Sequence, residues 1–426
     1  MTKLAIIGTG YVGLTTGACF AHLGHDVVCA DIDPEKVDLL SRGEVPIVEH
    51  RLDELVADGL RRGNLRFVLG AASAVTDAEI IFLCVPTPQG EDGSADLSYV
   101  EAAAAEIAPV LPYESIVVNK STVPVGSTKV VERVLRRPDV RVVSNPEFLR
   151  EGSAVDDFLK PDRVVVGADD RAAAIAVGAL YDGVHAQVIV TDPASAETIK
   201  YAANAFLATK LSFINAIAAV CEGVGADVND VVVGMGYDKR IGTEFLRPGP
   251  GWGGSCFPKD SRALLKIANE AGYRFDLLAG VIAVNDEQFD RVADKIRHAA
   301  GGDLTGRTVA VWGLTFKART DDLRDSPSIS IINRLLAAGA SVQAYDPTVG
   351  GHKAGVPDSV EVRTDPYAAA SGADVLAVLT EWDDFRWLEP AKVADVMVGR
   401  TVVDGRNLLD RVDWTRAGFT HLGIGR

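Results

Sequence analysis

The sequence predicts an α/β protein, with parallel-sheet domains at the two ends of the chain joined by a long central helix. Three observations carry this. Short apolar runs alternate with longer helical patterns in both outer thirds, as in βαβ units. The last third weakly repeats the first. Between them, one helical pattern runs from about 193 to 222, about 45 Å of helix.

In the first third, Leu4–Ile7, Val27–Ala30, Glu79–Val85, Ile116–Asn119, Val142–Ser144 and Val164–Val166 read as strands. In the last third, Thr308–Gly313 echoes Lys3–Gly8, and Ala373–Val378 echoes Ala78–Leu83. Gly339–Asp346 echoes Gly24–Asp31 with the same glycine-to-aspartate offset. The inference is two Rossmann-like domains; the competing reading is that any two βαβ units look alike. In the central helix, Asp192 suits the N-cap and Pro193 the first helical position. Ile199, Ala203, Phe206, Leu211, Ile214 and Ile217 recur at helical spacing, and Gly223 and Gly225 offer a stop. The expected domains are 1–190, 191–300 and 301–426.

The 426 residues are 47% hydrophobic and 24% charged, the composition of a globular chain with a large core. A net charge of −16 argues against nucleic acid or an anionic membrane as partner. Any anionic ligand must therefore be held by local cations and helix amino ends. Of the five cysteines, Cys19, Cys29, Cys84 and Cys221 sit among apolar or small residues and read as core side chains. No CxxC pair occurs, so a reduced compartment and no metal are expected. No signal-peptide pattern precedes the first strand, and no unbroken apolar run approaches the ~20 residues of a membrane span. The expectation is a cytoplasmic protein.

Gly8-Thr9-Gly10-Tyr11-Val12-Gly13 follows a strand and opens a helix, and Asp31 ends the next strand. These glycines let a pyrophosphate approach a helix amino end. A carboxylate at Asp31 accepts ribose hydroxyls and repels a 2′-phosphate, favouring NAD over NADP. Residues 251–260, Gly-Trp-Gly-Gly-Ser-Cys-Phe-Pro-Lys-Asp, crowd glycines around one thiol, Cys256, followed by Lys259 and Asp260. The cation favours thiolate, and the carboxylate can position water or take a proton. On the central helix Lys200 and Asn204 share a face. Lys200 can stabilise an oxyanion and favour a thiolate, and Asn204 can orient a sugar hydroxyl. Alone, that pair is more often a solvated surface, and what shifts the balance is the resemblance that follows. Loops holding Pro86 and Thr87, Thr122, and Glu147 and Glu151 follow strands, at the sheet edge where ligands bind. Glu151 alone is equally an exposed loop charge.

These residues resemble the UDP-glucose 6-dehydrogenase family, within the wider UDP-glucose/GDP-mannose dehydrogenases. The matching stretches are GTGYVG at 8–13, CVPTP at 84–88, STVPVGST at 121–128, SNPEFLREG at 144–152 and KYAANAFLATKLSFINAI at 200–217. GADV at 225–228, RIGTEFLRPGPGWGGSCFPKD at 240–260, GLTFKARTDDLRDSPS at 313–328 and DGRN at 404–407 complete them in order. The loop Pro46–Arg51 and the aromatic Trp252 depart from the family pattern.

The resemblance implies a four-electron oxidation of the C6 alcohol of UDP-glucose to a carboxylate, with NAD as acceptor. Cys256 then carries a thiohemiacetal and a thioester. Lys200 stabilises the oxyanion beside Asn204, Asp260 activates water, and Glu147 and Thr122 relay protons. Cofactor contacts fall to Gly8, Gly10, Tyr11, Val12, Gly13, Asp31, Lys36, Pro86, Thr87, Thr122, Glu151, Lys259 and Arg324. Substrate contacts fall to Glu147, Phe148, Leu149, Lys200, Asn204, Phe245, Leu246, Arg247, Gly253, Lys317 and Arg406, with Arg240 reaching across from a neighbouring subunit. A homodimer through the central helix is expected. The alternatives are the same chemistry on GDP-mannose or UDP-N-acetylmannosamine, a two-electron β-hydroxyacid dehydrogenase, and an inert NAD-binding scaffold.

Overall fold

The computed structural model describes residues 1–90, 93–350 and 354–426. Two compact units divide it: Met1–Ala203 with Arg262–Ala271, and Asn204–Ser261 with Gly272–Arg426.

The first unit holds eight strands: β1 (Lys3–Ile7), β2 (Asp26–Asp31), β3 (Leu65–Leu69), β4 (Ile80–Leu83), β5 (Ile116–Asn119), β6 (Arg141–Ser144), β7 (Arg163–Gly167) and β8 (Gln187–Thr191). They form one sheet in the order β3-β2-β1-β4-β5-β6-β7-β8. The inner strands are covered on both faces and are apolar, whereas the edge strand β8 is exposed along most of its length. Leu4 and Ile6 enter one core layer with Phe20 and Phe82. Ala5 and Ile7 enter the other with Ile81 and Val117, the alternation a strand imposes. One departure from a purely parallel sheet is found. β7 meets β6 antiparallel, through Ser144 and Gly167. The connection between them, residues 145–162, carries one short helix, Ala154–Leu159.

The second unit carries β9 (Thr308–Trp312), β10 (Ser341–Tyr345), β11 (Val360–Val362), β12 (Val375–Val378), β13 (Thr401–Asp404) and β14 (Thr420–Leu422). Their order is β11-β10-β9-β12-β13-β14, all parallel. This is the order of the first six strands of the other sheet, so the internal repeat is a repeat of topology. In each sheet the order reverses beside the first strand of the repeat, where open α/β sheets bind ligands.

The central helix runs Pro193–Val224. Asp192 caps it, accepting from the Ser195 amide at 2.8 Å and the Ser195 hydroxyl at 2.6 Å. At its end Gly225 is left-handed (φ 74°), and the Ala226 amide returns to the Cys221 carbonyl at 3.0 Å. By length and average composition alone this helix meets the test for a membrane span, a test that the core helix of a globular protein also meets. Lys200, Asn204, Lys210 and Asn215 interrupt the runs without lowering the average enough. Within the fold, 44% of the most apolar window is buried inside the protein. Phe206, Phe213 and Val220 recur every seventh residue and are exposed.

Candidate active site

In the first unit the turn after β1 brings backbone against backbone. A Cβ on Gly13 would lie 1.9 Å from the Gly8 carbonyl oxygen, so only glycine fits. The helix Tyr11–His22 that follows has no side-chain cap on its amino end. Its unsatisfied amides suit a pyrophosphate. Asp31 closes β2 and accepts from the Thr9 amide (3.0 Å), the Thr9 hydroxyl (2.6 Å), the Asp33 amide (3.1 Å) and Lys36 Nζ (3.1 Å). Burial alone would push this carboxyl up; the bonds from Thr9, Asp33 and Lys36 outweigh it and hold the pKa at about 2. The site therefore offers a permanent carboxylate beside a glycine turn and an uncapped helix end, which fits NAD.

At the ends of β4 and β5, Pro86 is exposed while Thr87 is buried, its hydroxyl donating to the Thr122 carbonyl at 2.9 Å. Thr122 is itself buried. After β6, Glu147 is buried, with Lys200 Nζ 2.8 Å from Oε1 and the Leu149 amide 2.6 Å from Oε2. Burial would raise the Glu147 carboxyl. The Lys200 ammonium, the Leu149 amide and the charge of Lys120 more than offset this and keep it below the usual range. The Phe148 ring lies between cations: Arg163 is stacked at 3.7 Å and Lys200 Nζ stands 5.5 Å from the centroid. Glu151 is half-buried. Tyr11 OH accepts the Gly152 amide.

In the second unit Cys256 is half-buried and directly precedes the helix Phe257–Glu270. Its carbonyl accepts the Asp260 amide at 2.8 Å, and its sulfur lies 3.5 Å from Ser255 Oγ. The positive end of that helix favours negative charge here. Asp260 is 1% exposed. It takes Asn204 Nδ2 at 2.7 Å on one oxygen and Lys259 Nζ at 2.6 Å on the other. By contrast, burial pushes the Cys84 thiol up to about 12 and raises Cys19 and Cys29 further. Those three are inert core sulfurs.

The thiol loop is clamped by buried polar residues that sequence reasoning misses. Asn285 bridges the Trp252 amide (2.8 Å) and carbonyl (2.9 Å). Trp252 Nε1 donates to Ser212 at 2.8 Å, Asn215 accepts the Gly249 amide at 2.8 Å, and Gln288 donates to the Gly249 carbonyl at 2.7 Å. A Cβ on Gly253 would meet the Asp325 carbonyl oxygen at 1.9 Å. Gly253 therefore serves loop packing, whatever it does for substrate. The one signal for the clamp is polar residues on apolar helical faces. Glu49, in the loop that departs from the family pattern, is buried and accepts the Gly152 and Ala154 amides at 2.7 and 2.9 Å.

The other expected substrate residues range from buried to exposed. Leu149 is half-buried and Leu246 is buried. Phe245 is left-handed (φ 61°), with its ring 6.3 Å from Phe257. Arg247 is exposed. Arg240 is exposed and forks onto Asp238. Lys317 Nζ stands 5.3 Å from the Phe316 ring. Arg324 forks onto Asp322, and its carbonyl accepts the Gly254 amide at 3.1 Å. Arg406 donates to the Leu379 and Phe316 carbonyls at 2.8 and 3.1 Å.

Residues 2–185 match the NAD-binding domain of the UDP-glucose/GDP-mannose dehydrogenase family, 194–287 its central domain and 310–411 its UDP-binding domain. A UDP-glucose 6-dehydrogenase of Rhizobium meliloti is 46% identical over 434 residues, covering 100% of this chain and 99% of its own. The solved UDP-glucose dehydrogenase of Pyrobaculum islandicum superposes with a TM-score of 0.92 at 38% identity, covering 100% of this chain and 98% of its own. The UDP-D-ManNAc dehydrogenase of Pyrococcus horikoshii superposes at 0.88 with 27% identity, covering 99% of each chain. Strand order, glycine turn, thiol loop and sequence likeness agree along the whole length: this chain belongs to the UDP-glucose/GDP-mannose dehydrogenase family.

Proposed function

We propose that the chain oxidises the C6 alcohol of UDP-glucose to the carboxylate of UDP-glucuronate, with NAD as cofactor. The observation that carries the reading is the surroundings of Cys256: a half-buried thiol at a helix amino end, one turn before a buried carboxylate held between Asn204 and Lys259. A simple alcohol dehydrogenase needs no such group. The higher identity to the UDP-glucose enzymes favours glucose over N-acetylmannosamine, and the match to a UDP-binding domain favours uridine over guanosine.

NAD, when bound, supplies the acceptor for each of the two hydrides that leave the carbon. The chain's own groups do the rest. Glu147 and Thr122, through water, take the hydroxyl proton. The Cys256 thiolate adds to the aldehyde carbon, and the carbonyl electron pair moves to oxygen, where Lys200 stabilises it. Capture matters because an aldehyde is a poor hydride donor until a nucleophile makes it tetrahedral. Loss of the second hydride leaves a thioester. Water positioned by Asp260 adds to it and returns the thiol, while Asn204 holds Asp260 and orients the sugar.

The division of labour we infer gives cofactor binding to 1–190, the thiol chemistry to 191–300 and the nucleotide to 301–426, where Lys317 and Arg406 face the diphosphate. The exposed stripe Phe206, Phe213 and Val220 supports a homodimer through the central helix. The exposure of Arg240 leaves it able to serve a neighbouring subunit. All five cysteines are free, which supports a reducing compartment such as the cytoplasm. The test is NADH release across a panel of nucleotide sugars. UDP-glucose should turn over best, with acid and NADH at 1:2; a 1:1 ratio with free aldehyde rejects the covalent route. Molecular mass in solution tests the dimer, and a strict monomer removes it together with the role of Arg240.

A further inference from the structure

Lys120, the residue after β5, is 4% exposed and has no part in the mechanism above. Its ammonium donates to Asn145 Oδ1 at 3.1 Å and to Tyr181 OH at 3.0 Å. It also faces the rings of Tyr181 at 5.6 Å and Phe158 at 6.0 Å. Asn145 cannot turn away, because its Nδ2 donates to the Val165 carbonyl at 2.7 Å while its Oδ1 also accepts Tyr181 OH at 2.7 Å. These hydrogen-bond partners are all neutral. A buried ammonium in neutral surroundings is costly, and an apolar side chain of equal volume is often the more stable choice. What Lys120 adds is charge at a fixed place.

That place is beside Glu147, two residues beyond Asn145. The charged and titratable groups facing Glu147 are Lys200 from the central helix, Lys120 from the β5 loop and the Cys84 thiol from the end of β4, with Arg163 stacked on the adjoining Phe148. Cys84 stays neutral because burial raises it. Two buried ammonium groups thus serve one buried carboxylate. If Lys200 Nζ moves toward an oxyanion, its 2.8 Å contact with Glu147 lengthens and their attraction weakens. Without a second cation, only the Leu149 amide would oppose the pull of burial toward the protonated Glu147 when Lys200 turned to the substrate.

We propose that Lys120 is a positioning residue, a fixed cation that keeps Glu147 ionised while Lys200 serves the oxyanion. This rests on the proposed roles of Glu147 and Lys200. Lys120→Met keeps the length and removes the charge. The acid limb of its kcat/KM profile should move up by about one pH unit or more, with KM for UDP-glucose unchanged above the limb. A folded Lys120→Met enzyme with the limb unmoved overturns the proposal. A merely structural lysine would lower the melting temperature and leave the limb in place. Glu147→Gln separates the two ideas. It should lose the limb; a persisting limb shows that Glu147 is not the relay base, and the proposal falls with that reading. Should Lys120→Met fail to fold, ¹³C-carboxyl NMR of Lys200→Met decides. Glu147 should remain ionised at neutral pH with Lys120 as its remaining cation, and a protonated carboxyl there overturns the proposal.

Discussion

Asn204 Nδ2 donates to Asp260 Oδ2 at 2.7 Å, so the central helix and the helix that follows Cys256 share one buried hydrogen bond. With Lys259 on the other oxygen, the Asp260 carboxylate is fixed one helical turn from the thiol. A carboxylate so placed can orient water toward an acyl group on sulfur without moving itself.

Asp260→Asn should therefore leave capture intact and slow hydrolysis by ~10²-fold or more. Mass spectrometry of the enzyme during turnover should show a nucleotide-sugar adduct on Cys256. Rapid acid release with no adduct would remove Asp260 from the hydrolytic step.

Cys256→Ala should lose acid formation by ~10³-fold or more while still folding, because the sulfur sits in a half-buried loop outside the packed layers. Acid measured by chromatography at near wild-type rate would end the covalent route.

Lys200→Met strands the buried Glu147 carboxylate. The stability loss should fall toward the lower end of about 3–5 kcal/mol, since Lys120 remains. Lys200→Met with Glu147→Gln should recover most of it. The Glu147 carboxyl is held low in the fold, so its contribution is present above the ordinary glutamate range and lost as pH falls through the lowered value. Glu147→Gln should accordingly flatten the acid side of the stability profile, as read by denaturant melts across pH. An unchanged acid side would show that the pair contributes no net stability.

Gly253→Ala places a Cβ 1.9 Å from the Asp325 carbonyl oxygen, a backbone atom that cannot swing aside. The loop must shift, with a cost of about 1–3 kcal/mol or more, or a displaced thiol. Wild-type melting temperature and rate together would contradict the packing.

Much of the fold and the site is legible in the residues alone. Strand runs, the glycine turn, Asp31 and the capped helix at Asp192 are local: each depends on residues within a turn or two, and periodicity or cap chemistry reports them. β3, β8, β11, β13 and β14 lie outside the strand runs read from the sequence, although β8 holds three β-branched residues in a row, Val188-Ile189-Val190, and nothing local announces the antiparallel meeting of β6 with β7. These short or edge strands owe their state to a neighbouring strand, and a window of sequence holds no information about that neighbour. The membrane-like apolarity of the central helix escapes a search for unbroken runs for the opposite reason: isolated polar residues hide a high average.

The sequence by itself determined the chemistry available: one loop thiol among glycines, a carboxylate one turn on, and a cation and amide on one helix face. Only the tertiary structure decided which charges meet. Lys200 on Glu147, Asn204 on Asp260, Lys120 on Asn145, and Asn285 and Ser212 around Trp252 are pairings between residues tens of positions apart. Burial and close packing choose such partners, because a buried polar group must find one wherever the fold brings it.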